Sequence, residues 1–158
     1  MRISIEHRVY MDCPEGFHEL TEEERKGMNF TPGGKVLCIS DPVRHIVITA
    51  AWTQLSGLSA WLLGRREIAW NMARQIEKNM KPFSYKWLDD VKRTIDGQVA
   101  RGIDYEYVAK DINMTAESLV VMVGENLYYF HMYARMVLRE ESLEIFKEIL
   151  DTVAIARM

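Results

Sequence analysis

Tyr129, His131, Tyr133 and Arg135 alternate along one stretch of chain and form the densest set of chemically able side chains in the sequence. In an extended segment, residues two apart share a face, so two phenols, an imidazole and a guanidinium would project together. Imidazole changes charge near neutral pH and a planar guanidinium grips carboxylates or phosphates through two bonds, so the set could hold an anionic or peptide ligand. The same spacing describes an ordinary sheet face beneath a helix, with polar tips reaching water, and that plainer reading carries more weight. Whether Tyr105 and Tyr107 join this face depends on cross-strand register, which the sequence does not show.

The other suggestive residues are large and apolar. Trp52, Trp61, Trp70 and Trp87 surround one long helical segment. Aromatics of this size anchor protein interfaces or line ligand pockets, although most serve the core. Trp61 fits the buried stripe of that segment. Trp70 falls between Ala69 and Asn71, off the stripe, and is the tryptophan expected to reach solvent as a contact residue. Of the ten methionines, Met114, Met122, Met132 and Met136 fall on expected strands. Their flexible thioethers suit an adaptable groove, but filling an irregular core is the commoner use.

Catalytic signatures are weak by comparison. Gly57-Leu58-Ser59-Ala60-Trp61 opens like a nucleophile elbow and lacks its closing glycine. Pro32-Gly33-Gly34-Lys35 has neither the spacing nor the hydroxyl of a phosphate-binding loop, and reads as a turn. His7, His18, His45 and His131 are isolated, and Asp89-Asp90 would point its carboxylates to opposite sides of a strand, so neither gathers metal ligands. No catalytic, cofactor or metal site is assigned. Cys13 and Cys38 fit neither a metal spacing nor a redox pair and read as reduced, buried thiols, with a single disulfide as the alternative.

The chain of 158 residues, with 20 Lys+Arg against 23 Asp+Glu and a net charge of −3, suits one domain spanning 1–158. A mildly acidic balance without a basic stripe argues against nucleic acid as a partner. Charges interrupt the first residues, leaving no apolar secretory core, and no later stretch reaches the roughly 18 apolar residues of a membrane helix. The expectation is a cytoplasmic protein with no membrane partner. Two glycosylation acceptor patterns, Asn29-Phe30-Thr31 and Asn113-Met114-Thr115, carry little information in that setting.

The elements that must hold these side chains follow from periodicity. Arg2 to Asp12 alternates Ile3, Ile5, His7, Val9 and Met11 as one strand would. Thr21-Glu22-Glu23-Glu24 is a capping box opening a short helix that ends near Gly27. Val36 to Ile39 and about Arg44 to Gln54 read as strands. Leu58 to Met80 changes to helical period, with Gly64 as a break and Lys81-Pro82 as the stop. From Tyr85 to Leu138 the period returns to two. Asp96-Gly97 and Gly124-Glu125-Asn126 mark hairpins, and the strand from Leu127, apolar on both sides, should be central. Leu143, Phe146, Ile149, Leu150 and Val153 form the stripe of a last helix over Ser142 to Ile155. Tight hairpins make consecutive strands antiparallel, which excludes doubly wound nucleotide-binding folds. The expected class is α+β: a single antiparallel sheet of six to seven strands, packed by two long helices and one short one.

In this element order, the Pro14-Glu15-Gly16-Phe17 turn, the capped segment at Thr21 and the final Leu143…Phe146…Ile149-Leu150 helix, the whole chain resembles the Mog/PsbP-like superfamily. That group is an α/β/α sandwich shared by a Ran-GTPase-binding import factor, an extrinsic photosystem II subunit and bacterial proteins. The resemblance lies in element order and turns, so it transfers no functional residue. It implies a fold whose members mostly bind proteins. The leading expectation is a non-enzymatic binding, adaptor or chaperone-like domain with an unidentified protein partner. The alternative is a small-molecule binder or enzyme with a pocket at Tyr129, His131, Tyr133 and Arg135; homo-oligomerisation through an exposed strand or the long helix is a third.

Overall fold

A computed structural model of the chain describes residues 1–25, 36–55 and 64–156. Its backbone is dominated by a run of hairpins. Strands β6 (Lys86–Ile95), β7 (Gln98–Ala109), β8 (Ile112–Val123) and β9 (Asn126–Arg135) follow one another with turns of two residues. Asp96 and Gly97 take φ of 47° and 75°, and Lys110 and Asp111 take 51° and 64°. Left-handed backbone at both turn positions matches the twist of the flanking strands, which is why Asp-Gly announces such a hairpin and Lys-Asp does not.

Before these come β1 (Arg2–Ile5), β2 (Val9–Asp12), β3 (His18–Glu19), the single-turn helix α1 (Glu22–Arg25), β4 (Val36–Asp41), β5 (Ile46–Gln54) and helix α2 (Arg65–Met80). Helix α3 (Arg139–Leu150) and β10 (Ala154–Ile155) complete the chain. The capping box forms as read: the Glu24 amide donates to Thr21 Oγ1 and the Thr21 amide donates to Glu24 Oε1, each at 3.2 Å.

Seven strands make one antiparallel sheet in the order β3-β4-β5-β9-β8-β7-β6. β9 is the fourth of the seven, as its two apolar faces require. On one face, Ile46, Ile48, Leu119, Val121, Phe130 and Met132 meet Phe146, Ile149 and Leu150 of α3 and Val9, Met11 and Ile155 of a smaller sheet. On the other, Ile68 and Met72 of α2 pack on Val120 and Leu127, and Ala73, Ile76 and Met80 pack around Ile103, Tyr105 and Ala116. Among the described residues, no helix is long and apolar enough to cross a membrane.

Four expectations are corrected. The β-structure is two sheets, since β1, β2 and β10 form a separate three-stranded one. Arg2 to Asp12 is a hairpin rather than one strand: Glu6 and His7 turn with φ of 46° and 58°. Ile3 pairs with Met11 and Ile5 with Val9, so the alternating residues still share a face after the reversal and mimic a continuous strand. The last helix stops at Leu150, where Thr152 Oγ1 donates to the Ile149 carbonyl at 2.6 Å and the Ile155 amide donates to Asp96 Oδ2 at 2.9 Å, drawing the tail into β10. Of the two long helices and one short helix expected, two, α2 and α3, exceed one turn among the described residues, and the short one amounts to the single turn α1. Gly27, the Pro32-Gly33-Gly34-Lys35 turn, Trp61 and the 57–61 motif lie outside the described residues.

Candidate functional site

The β9 side chains do share a face. His131 lies opposite Ser118 on β8 and Thr49 on β5, Tyr129 opposite Val120 and Ala51, and Tyr133 opposite Ala116 and Val47. The His131 ring is stacked between its neighbours, 6.4 Å from Tyr129 at an interplanar angle of 4° and 6.1 Å from Tyr133 at 21°. Alternation on a central strand creates this ladder, because residues two apart stand in parallel on the pleat. Tyr129 packs with the Ile68, Met72, Val120 and Leu127 cluster, and Tyr133 with the Ile103, Tyr105 and Ala116 cluster under the second half of α2.

Burial fixes the ladder's charge. His131 is 7% exposed, and desolvation pulls its pKa from 6.5 down to about 4, so the ring is neutral at physiological pH. Its Nδ1 and Ser118 Oγ share a hydrogen bond of 2.7 Å, and its buried Nε2 has no partner among the described residues. Burial likewise pushes the Tyr129 and Tyr133 phenols upward. Register also answers the question left by the sequence. Tyr105 lies opposite Ala116, which lies opposite Tyr133, so two tyrosines face each other over a small residue. Tyr107 extends the row, 6.0 Å from Tyr105, and burial pushes its pKa up to about 12. Arg135 is half-buried at the strand end and makes no ion pair among the described residues. Trp70 stands apart from the ladder on the solvent side of α2, 58% exposed, with the Arg74 guanidinium 4.7 Å above its ring.

Sequence reading missed a second polar cluster on the opposite face. Glu117 is fully buried, and Arg93 of β6 reaches it twice, Nε to Oε2 at 2.5 Å and Nη2 to Oε1 at 2.9 Å. Asp104 lies directly opposite Glu117 and takes Arg139 Nη2 on its Oδ2 at 3.2 Å, while Asp104 Oδ1 and Arg139 Nε are buried without hydrogen-bond partners among the described residues. Desolvation, then the facing Glu117, lift the Asp104 pKa from 3.8 to about 8 against the pull of both arginines. Burial and the facing carboxylate thus favour the protonated form of Asp104. This quartet ties β6, β7 and β8 to the first turn of α3. Its signal was present in the alternation: Glu117 sits in phase with Leu119 and Val121 on the covered face of β8.

A cleft of about 440 Å³ lies between the start of α2 and β7, lined by Gly64, Arg66, Glu67, Val99 and Arg101. A void of about 10 Å³, room for one water, lies beside Ile68, Val99, Arg101, Val120 and Met122. Neither includes a ladder or quartet residue. Among the described residues, no group of three or more His, Cys, Asp and Glu side chains could hold a metal ion.

No protein-family model matches the chain, and no curated protein matches it. Solved structures do. The chain is similar to the cyanobacterial PsbP protein (CyanoP) of Synechocystis sp. PCC 6803, with a TM-score of 0.69 and 14% identity over 99% of this chain and 92% of that one. It is similar to LpqN, involved in cell envelope biogenesis in Mycobacterium tuberculosis, with a TM-score of 0.66 and 14% identity over 94% and 83% of the two chains. PA94 of Pseudomonas aeruginosa, a protein of unknown function and putative regulator, gives a TM-score of 0.56 and 13% identity over 90% and 98% of the two chains. At these identities the likeness shows the fold, which is PsbP-like.

Proposed function

We propose that this chain is a non-enzymatic domain that recognises another protein, with Trp70 on α2 as a principal contact. The observation that carries this reading is the exposure of that indole, 58%, on a helix whose opposite side is anchored to the sheet. A rigid exposed aromatic with a stacked guanidinium has the composition of an interface hot spot. Kinship with the wider Mog/PsbP-like group, including its Ran-binding branch, belongs to the same proposal and points toward binding, although fold alone is a weak warrant for function. Cys13 and Cys38 are buried thiols that form no disulfide among the described residues, which supports a reducing compartment.

The test places a photo-crosslinking phenylalanine analogue at position 70 and, as a control, at Val43, which is 85% exposed on a different part of the surface. Crosslinking in cells should give discrete protein adducts from position 70 and none from position 43. Equal adduct patterns from both positions, or none from either, would defeat the reading.

A second reading is favoured by one observation, the buried His131 Nε2 without a partner among the described residues. A small polar ligand beside the Tyr129, His131 and Tyr133 ladder would supply that bond. The histidine ring resonances decide it: a bound ligand would shift them on addition of a metabolite extract, and unchanged resonances would remove the reading.

A further inference from the structure

The edge strand β6 carries the run Asp89-Asp90-Val91-Lys92-Arg93, whose charges are minus, minus, neutral, plus, plus. β6 ends the seven-stranded sheet, and no described strand pairs with its outer side. The opposite edge, β3, has only two residues. Ile95 lies opposite Gln98 across the two-residue turn, and in such hairpins the residues flanking the turn exchange both main-chain bonds. By alternation Ile95, Arg93 and Val91 bond toward β7, while the N–H and C=O groups of Asp90, Lys92 and Thr94 point outward. The Asp90 amide fits this assignment, since it donates to Asp89 Oδ1 at 2.9 Å.

A run of antisymmetric charge is complementary to itself when reversed. We propose that β6 pairs antiparallel with β6 of a second copy of this chain, about a two-fold axis at Val91, joining the two large sheets into one. In this register Asp90 lies opposite the partner's Lys92, and Lys92 opposite the partner's Asp90. Val91 meets the partner's Val91, and Asp89 meets the partner's Arg93. Residues of equal parity face each other, so each face of one sheet continues into the same face of the next. The two Asp90 and Lys92 pairs fall at outward positions and exchange main-chain bonds as well as charge.

The charges needed are accessible. Asp90 and Lys92 are both exposed, and Lys92 has no ion-pair partner among the described residues. Asp90 accepts from Trp87 Nε1 at 3.2 Å. Arg93 is already held by Glu117, so the outer pair with Asp89 contributes less. The register shifts between Trp87 and Asp89, which makes Leu88 the extra residue of a bulge and ends the regular ladder. Trp87, 51% exposed, then takes the position facing the partner's Thr94.

Charges and bulges on edge strands usually prevent pairing. Here they select one pairing. A shift of the two strands in either direction sets Asp90 against the partner's Asp90, or Lys92 against the partner's Lys92, and both repel. The short ladder gives a reversible dimer rather than an obligate one. This surface is separate from Trp70, so the two proposals stand or fall independently.

Sedimentation velocity of the full chain over a wide concentration range tests the pairing. Wild type should show a monomer–dimer equilibrium that weakens with salt. Asp90→Lys alone and Lys92→Asp alone each set like charges opposite one another twice, and should raise the dimer Kd about tenfold or more. Combining Asp90→Lys with Lys92→Asp restores complementarity and should restore the dimer. Val91→Cys should form a covalent dimer under mild oxidation, because facing residues at non-bonded positions have Cα atoms about 4.5 Å apart. Thr94→Cys should not. Circular dichroism confirms that each variant folds. A monomer at every concentration, a dimer indifferent to the single reversals, or a double swap that fails to restore it would overturn the proposal.

Discussion

On neighbouring residues of one strand, β8, the sheet buries polar groups in opposite ways. Toward α2, Ser118 and His131 form a neutral pair between stacked tyrosines. Toward α3, the adjacent Glu117 is paired with a guanidinium that grips both its oxygens. Removing a charge from water is costly, and a buried group escapes that cost by losing the charge or by pairing it. His131 takes the first route, Glu117 the second, and Asp104, whose Oδ1 has no partner among the described residues, is driven toward its protonated form.

The comparison can be broken most severely at Glu117. Glu117→Ala should destabilise the domain by about 3–5 kcal/mol, because Arg93 is left half-buried and unpaired. Replacing both partners by Met should recover much of that loss, and urea unfolding of the three proteins measures it. Ser118→Ala, on the neutral face, should cost about 1–3 kcal/mol, since His131 then has neither nitrogen bonded. The smaller figure distinguishes an orphaned neutral ring from an orphaned ion.

Acidity sharpens the contrast, because the two faces respond with opposite signs. The His131 pKa is about 4 in the fold against 6.5 when free. Its contribution is complete above 6.5 and is lost as pH falls toward 4. The Asp104 pKa is about 8 against 3.8, so its contribution is complete below 3.8 and is lost as pH rises toward 8. Between pH 4 and 6.5 the two slopes oppose each other. Asp104→Asn should therefore lose Tm more steeply than wild type on acidification over that window, and should lose less than wild type between pH 6.5 and 8. A melting series in matched buffers decides it. The smallest effect is expected outside both faces: Trp70→Ala should change stability by about 0.5 kcal/mol or less, as measured by urea unfolding.

Much of the architecture was legible because it is written locally. Asp96-Gly97, the Thr21 capping box and the two-sided apolar run of β9 each name their own conformation, and each formed. Failures occurred where local patterns are degenerate. Alternation through Arg2 to Asp12 survives a chain reversal in which Ile3 meets Met11 and Ile5 meets Val9, so a hairpin resembled a strand. The Lys110-Asp111 turn lacks glycine and gave no signal. The ladder was half legible: alternation put Tyr129, His131 and Tyr133 on one face, but Tyr105 joined them only through the Ala116 register. The charged quartet was only partly legible: Glu117 sits in phase with Leu119 and Val121, but its partners Arg93, Asp104 and Arg139 are spread along the chain.

From the sequence by itself come the antiparallel class, the central placement of β9 and the exposure of Trp70, because periodicity and turn chemistry act within a few residues. Tertiary structure alone decided that β1, β2 and β10 form a second sheet, that His131 meets Ser118, and that two carboxylates face each other beneath α3. These depend on register and on which surfaces are taken from water together, and the free energy of such contacts belongs to pairs of distant residues rather than to either segment.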